Sequence, residues 1–151
     1  LHCIVLDANY KADGTNYDHG NYVWTDTTIP ARELEWLEAD LAAARDRTVV
    51  FIHQPLDGTR QEYIRNAADV RDILQRSGKV LGVFQGHIHQ GGYSHIEGIH
   101  YCTQRALVEG NGPESNAYAV VEVSPGGDIV VTGYRRALSR ELPTPAMTVA
   151  S

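Results

Sequence analysis

Three short apolar runs punctuate the first part of the chain, and each is followed or ended by a polar residue. They cover residues 2–7, ending at Asp7, residues 48–53, ending at His53, and residues 80–85, just before Gly86-His87-Ile88-His89. Nearly continuous runs of this length predict strands buried on both faces, and the first reads as a central strand. Between them the period lengthens. After Pro30, which suits the first turn of a helix, Leu34, Leu37, Leu41 and Ala44 recur at helical spacing. Glu33, Glu35, Glu38 and Asp40 crowd its early turns and Arg45 and Arg47 its far end, the order that complements the helix dipole. A second helix is expected from Asn66 as N-cap, with Asp69 three residues on, a stripe of Val70, Ile73 and Leu74, and Gly78 as the terminating residue. Strand, helix, strand, helix, strand implies right-handed crossovers and a parallel sheet, hence an α/β fold.

Beyond His89 the pattern changes to short alternating runs at 92–96, 98–104, 117–124 and 128–134, with Pro125-Gly126-Gly127-Asp128 as a hairpin connection. This predicts an antiparallel meander behind the parallel part. Residues 8–29 are rich in Asn, Asp, Gly, Tyr and Thr and have no period; a loop this long is either functional or a surface excursion held by Tyr17, Tyr22 and Trp24. No repeat or linker divides the chain, so residues 1–142 are expected to form one domain and residues 143–151 a flexible tail.

A chain of 151 residues can bury a substantial core, and 42% hydrophobic with 21% charged residues is ordinary for a globular protein. A net charge of −6, from 13 basic and 19 acidic residues, argues against a nucleic-acid binder, which needs a basic stripe to displace counterions. A phosphorylated small molecule stays possible, because bound metal ions would dominate the local charge. Two cysteines, Cys3 and Cys102, do not suggest a disulfide framework. No run approaches the length of a membrane span and no signal-peptide pattern is visible, which leaves the location cytoplasmic or unknown. The opening at Leu1, directly on a strand, is expected to mark a processed signal, an artificial boundary or a proteolytic cut.

Parallel strands present their carboxyl ends to one edge, where open α/β sheets bind ligands. His53, His87 and His89 leave their strands there. In extended backbone, residues i and i+2 face the same way, so His87 and His89 are expected on one side and Ile88 in the core. A lone histidine ending a strand is usually a hydrogen-bonded polar residue. Three of them, ending two strands, point instead to a metal site. Gln54 and Gln90 are placed to hydrogen-bond the ligating imidazoles. Tyr93 is either a substrate contact or a ring packed on the sheet.

His53-Gln54-Pro55 after one apolar strand and Gly86-His87-Ile88-His89 after the next resemble the last two sequence blocks of the calcineurin-like metallophosphoesterases. Gly86 to Ser94, with the following Gly98-Ile99-His100-Tyr101 and Leu107-Val108-Glu109-Gly110, is similar to the manganese-dependent ADP-ribose/CDP-alcohol diphosphatase branch. The resemblance implies the C-terminal half of a four-layer α/β/β/α sandwich. It also implies two divalent ions (Mn, Fe or Zn), one shared by His53 and His87 and the other served by His89. The activity implied is hydrolysis of a phosphodiester, pyrophosphate or phosphomonoester, with a nucleoside-diphosphate compound as substrate. The family's D-x-H, G-D and G-N-H blocks are absent from these 151 residues, and Asp13-Gly14 and Asp18-His19-Gly20 do not replace them. No catalytic acid is therefore identified. The competing expectations are a catalytically inactive metal-binding fragment and an interaction module that pairs, through the 2–7 strand, with the upstream half of the domain or with a second copy.

Overall fold

The computed structural model describes residues 1–18, 20–58 and 63–144. Its elements are β1 (His2–Leu6), α1 (Ala31–Ala43), β2 (Thr48–Ile52), α2 (Ala67–Ser77), β3 (Val80–Gln85), β4 (Gly92–Ile96), β5 (Ile99–Thr103), a 3₁₀ turn at Pro113–Ser115, β6 (Ala117–Val123), β7 (Ile129–Arg135) and β8 (Arg140–Leu142). They fall into two compact units, residues 1–106 and residues 107–151.

The first unit is a five-stranded sheet in the order β1-β2-β3-β5-β4, parallel except for β4. Both helices cover the same face. Ile4 and Leu6 of β1, Val50 and Ile52 of β2 and Val83 of β3 pack there with Leu37 and Leu41 of α1 and Val70 and Leu74 of α2. The expected meander is corrected at this point. The β4–β5 hairpin folds back so that β5 pairs in parallel with β3, and it completes the first sheet rather than starting a second. Only residues 117–142 form a separate antiparallel sheet, β6-β7-β8. The Ser124–Asp128 turn closes its first hairpin, with Ser124 N–H on Asp128 O at 2.9 Å. Strand β8, three residues long, is too short to leave a periodic signal.

Strand β1, read from its apolar run as central, lies at the edge of the sheet in this chain, as the expectation of pairing through residues 2–7 requires. Its alternate residues Cys3 and Val5 face outward, Val5 at 73% exposure, while β3 is the strand buried along its whole length. Apolar content alone did not separate the two, because β1 carries Val and Cys on its open side.

Helix ends also depart in detail. Pro30 takes the position before the first helical residue, and α1 stops at Ala43 with no basic residue in its last turn. The cation at its carboxyl end is Lys79, whose Nζ donates to the carbonyls of Leu41 (2.5 Å), Ala42 (3.1 Å) and Ala44 (2.8 Å). Gly78 ends α2 in the left-handed region at φ 63°, as the sequence predicts. Asn66 begins it, but its side chain does not cap the helix. The Asn66 amide reaches across to the end of loop 8–29 instead. Oδ1 accepts from Thr28 Oγ1 (2.9 Å) and Ile29 N (3.0 Å), and Nδ2 donates to Ile29 O (2.9 Å). The tail residues 145–151 lie outside the described residues.

Asn66→Ala should therefore destabilise by about 1–3 kcal/mol, since it strands the N–H and carbonyl of buried Ile29. Urea denaturation followed by circular dichroism reads this as a lowered midpoint. A shift no larger than that of an ordinary surface substitution would show that the amide pins nothing.

Candidate metal centre and its cavity

The site is assembled by the pairing of β2 with β3. Their parallel register runs through Phe51↔Phe84 and continues one step past the strands, where Gly86 N–H donates to His53 O at 2.9 Å. Gly86 packs on His53: a Cβ at position 86 would meet His53 Nδ1 at 3.4 Å and His53 O at 3.6 Å, ordinary van der Waals contact. The next residue, His87, has φ 67°, and Ile88 N–H donates back to Gly86 O at 2.7 Å. A non-glycine residue held in the left-handed region costs about 1–3 kcal/mol and is found where surrounding structure or function demands it.

This three-residue turn overturns the expectation that His87, Ile88 and His89 continue as extended backbone. Strand alternation ends at Gln85, and Ile88 is half-buried rather than in the core. The turn directs His87 onto His53. Its Nδ1 lies 3.3 Å from His53 Nε2, and the two rings meet edge to face with centroids 5.3 Å apart. His89, two residues further, is exposed and its carbonyl accepts from Ala106 N–H at 3.1 Å. Among the described residues, no three His, Cys, Asp or Glu side chains come close enough to hold one ion. The structure thus brings together two of the three expected ligands.

Two nitrogens each about 2.0–2.1 Å from a tetrahedral ion lie about 3.4 Å apart. The 3.3 Å between Nδ1 and Nε2 fits a pair of imidazoles sharing one cation; without a cation, the same spacing is that of a hydrogen bond from one ring to the other.

The other expected residues are placed differently. Gln54 is buried, and its Nε2 donates to Asn9 Oδ1 at 3.3 Å instead of to an imidazole. Gln90 is exposed, and its carbonyl accepts from Arg105 Nε at 3.3 Å. The Tyr93 hydroxyl lies 2.9 Å from Nδ1 of buried His100 and hydrogen-bonds to it across the β4–β5 pair, with His95 stacked on the same imidazole at 4.4 Å. Cys3 is exposed and Cys102 buried, and they form no disulfide with each other. His19 lies outside the described residues.

Around the histidine pair opens a cavity of about 520 Å³, lined by Asn9, Tyr17, Asp18, Tyr22, Trp24, Thr27, His53, Gln54 and His87. Six of these nine come from loop 8–29, which the sequence marks only as long and aperiodic. The loop is well tied down. Tyr17 shares its hydroxyl proton between Val23 O (2.7 Å) and Asp26 O (2.8 Å), and Asp26 pairs with Arg65 at 2.9 Å. At the neighbouring strand end, Glu33 accepts from Asp7 N–H at 2.7 Å; burial holds its carboxyl above the usual range, and that hydrogen bond partly offsets the rise.

No family model matches the chain. A stretch of 100 residues, 62% of this chain, is 29% identical to the manganese-dependent ADP-ribose/CDP-alcohol diphosphatase of Bos taurus, of which it covers 29%. The fold matches the crystal structure of a dimetal phosphatase from Danio rerio with a TM-score of 0.78 at 18% identity, over 94% of this chain and 57% of the other. The chain thus spans less than two thirds of each of these relatives. The sequence match and the fold match together support a metallophosphoesterase relationship.

Proposed function

We propose that this chain contributes the histidine ligands of a metal-dependent phosphoesterase, acting on a phosphodiester, pyrophosphate or phosphomonoester. The observation that carries the reading is the 3.3 Å approach of His53 Nε2 and His87 Nδ1 at the carboxyl edge of the parallel sheet. The name of the bovine relative supports manganese and a nucleoside-diphosphate type of substrate; by ligand chemistry alone, imidazole suits iron and zinc better. Bound divalent ions would neutralise charge on the phosphoryl oxygens and activate the attacking water. The chain's own share is to fix two neutral ligands. The Gly86–His53 hydrogen bond sets their spacing, the strained turn sets the direction of His87, and His89 is left to serve the second ion. In this reading the carboxylate ligands come from outside these 151 residues, and the sheet with its helix layer is half of a four-layer α/β/β/α sandwich.

Two neutral imidazoles without a carboxylate hold a divalent ion weakly. Added Mn²⁺ should then broaden the imidazole proton signals of His53 and His87 first and together, ahead of those of His95 and His100. His87→Ala should weaken that broadening at His53 about tenfold or more in Mn²⁺ concentration. Uniform broadening of all histidines would remove the basis for the assignment.

The 151-residue chain with Mn²⁺ is expected to hydrolyse bis(p-nitrophenyl) phosphate no faster than buffer with Mn²⁺. Turnover well above that background, abolished by His53→Ala, would mean that the chain holds a complete site.

A second reading, an interaction module, draws on one feature. β1 is an edge strand beside an open apolar strip of Val5, at 73% exposure, and Phe51, at 39%. Such an edge invites pairing with another strand, from the upstream half or a second copy. Light scattering should show dimer rising with concentration, and Val5→Lys should suppress it. A monomer at every concentration would leave this reading without support.

A further inference from the structure

The cavity beside the histidine pair has two unlike walls. One is His53, His87 and Gln54; the other is Tyr17, Tyr22 and Trp24, with Thr27 also in the lining. Tyr17 is spent on holding the loop through its hydroxyl. Tyr22 and Trp24 are not: they stand 65% and 54% exposed, so neither ring serves the core. The Trp24 ring lies 6.4 Å from the His87 ring, centroid to centroid, at a tilt of 43°. A large aromatic therefore stands in tilted ring contact with the side chain read as a ligand and lines the cavity beside it.

A second observation is independent of the aromatics. Thr27 is 1% exposed, and its Oγ1 is a buried hydroxyl with no hydrogen-bond partner among the described residues. Burying a hydroxyl unpaired costs about 1–3 kcal/mol, so native structures rarely leave one unless something outside the chain completes it. Thr27 lines this cavity. Its neighbours are all satisfied: Thr28 Oγ1 bonds Asn66, and Thr27 O accepts from Arg65 N–H.

Resting on the phosphoesterase reading, we propose that loop 8–29 is the specificity element of the site. Tyr22 and Trp24 hold a planar aromatic ring carried by the phosphate ester, a nucleobase or an equivalent heterocycle, while Thr27 Oγ1 bonds a polar atom on that ring's edge. The phosphoryl group then lies toward His53 and His87. A volume of about 520 Å³ accommodates a nucleoside monophosphate unit and is of the size typical for small-molecule sites. Base-on-aromatic stacking contributes about 1–3 kcal/mol per base, is tolerant of base identity, and corresponds to roughly a 5- to 150-fold gain in affinity. The site therefore discriminates esters by the presence of the ring more than by which ring it is.

The test is metal-free binding, so that it reports on the ring subsite and not on hydrolysis. Trp36 and Trp24 are the two tryptophans of the chain, and Trp36 lies on α1 away from the cavity lining. In a Trp36→Phe background the remaining emission belongs to Trp24. Titration with AMP and with adenosine should quench it saturably, and ribose 5-phosphate should bind at least tenfold more weakly. By calorimetry, Trp24→Ala should weaken AMP at least tenfold and leave ribose 5-phosphate unchanged, with Trp24→Phe recovering most of the loss. Thr27→Val, which keeps the shape and removes the hydroxyl, should weaken AMP severalfold. Circular dichroism of each variant should match the parent. Equal binding of AMP and ribose 5-phosphate, or AMP affinity indifferent to Trp24→Ala, would overturn the proposal. Ring binding through Trp24 without Mn²⁺ broadening at His53 and His87 would leave the subsite standing and defeat the phosphoesterase reading. The reverse pattern would do the opposite.

Discussion

One hydrogen bond organises the site: Gly86 N–H to His53 O, 2.9 Å, one step beyond the paired ends of β2 and β3. It extends the parallel ladder past the strands and fixes the two chain exits side by side. The His53 imidazole lies against the backbone at position 86. The chain then reverses within three residues, and the strain of His87 at φ 67° is held by the Ile88–Gly86 bond. Without that ladder step the two imidazoles would belong to separate loops. With it they form a pair whose geometry is set by backbone, the least adjustable part of the molecule.

The second contribution comes from the sequence between the strands. Loop 8–29 is aperiodic, yet it is neither loose nor decorative. Asn66 fastens its end to the start of α2, Arg65 fastens Asp26, and Asn9 meets Gln54 beside the histidines. A polar loop fixed at several points to a helix layer can carry exposed aromatics in a defined place. The site thus divides its tasks: strand ends supply the ligands, and the loop supplies the walls.

Much of this was legible from the residues. Pattern and end signals located both helices within a residue or two and found seven of the eight strands, because Gly78, the Pro125–Asp128 turn and the apolar stripes each act locally. The histidines declared themselves by their position after apolar runs, and Tyr17 by its place in a long loop. What could not be read was non-local. Nothing near β1 says that its outer face stays open, and Arg45 and Arg47 look like better helix-end cations than Lys79. The alternation rule failed at His87 because His87 itself takes the left-handed region and the Ile88–Gly86 hydrogen bond closes a turn where the pattern suggested continued strand. Asn66 has the composition of a cap, but its amide is claimed by Thr28 and Ile29, 38 and 37 residues earlier.

The Lys79 ammonium on the last carbonyls of α1 bears on the order in which the chain can assemble. Those carbonyls belong to the first crossover, but the group that satisfies them arrives only after the second crossover, at the start of β3. Until β3 docks, water has to satisfy those carbonyls in place of the ammonium. Parallel sheets already assemble slowly because their contacts are distant in sequence. Here a single side chain ties the completion of one crossover to the arrival of the next, so the two helices and the middle of the sheet should form as one cooperative event rather than in sequence.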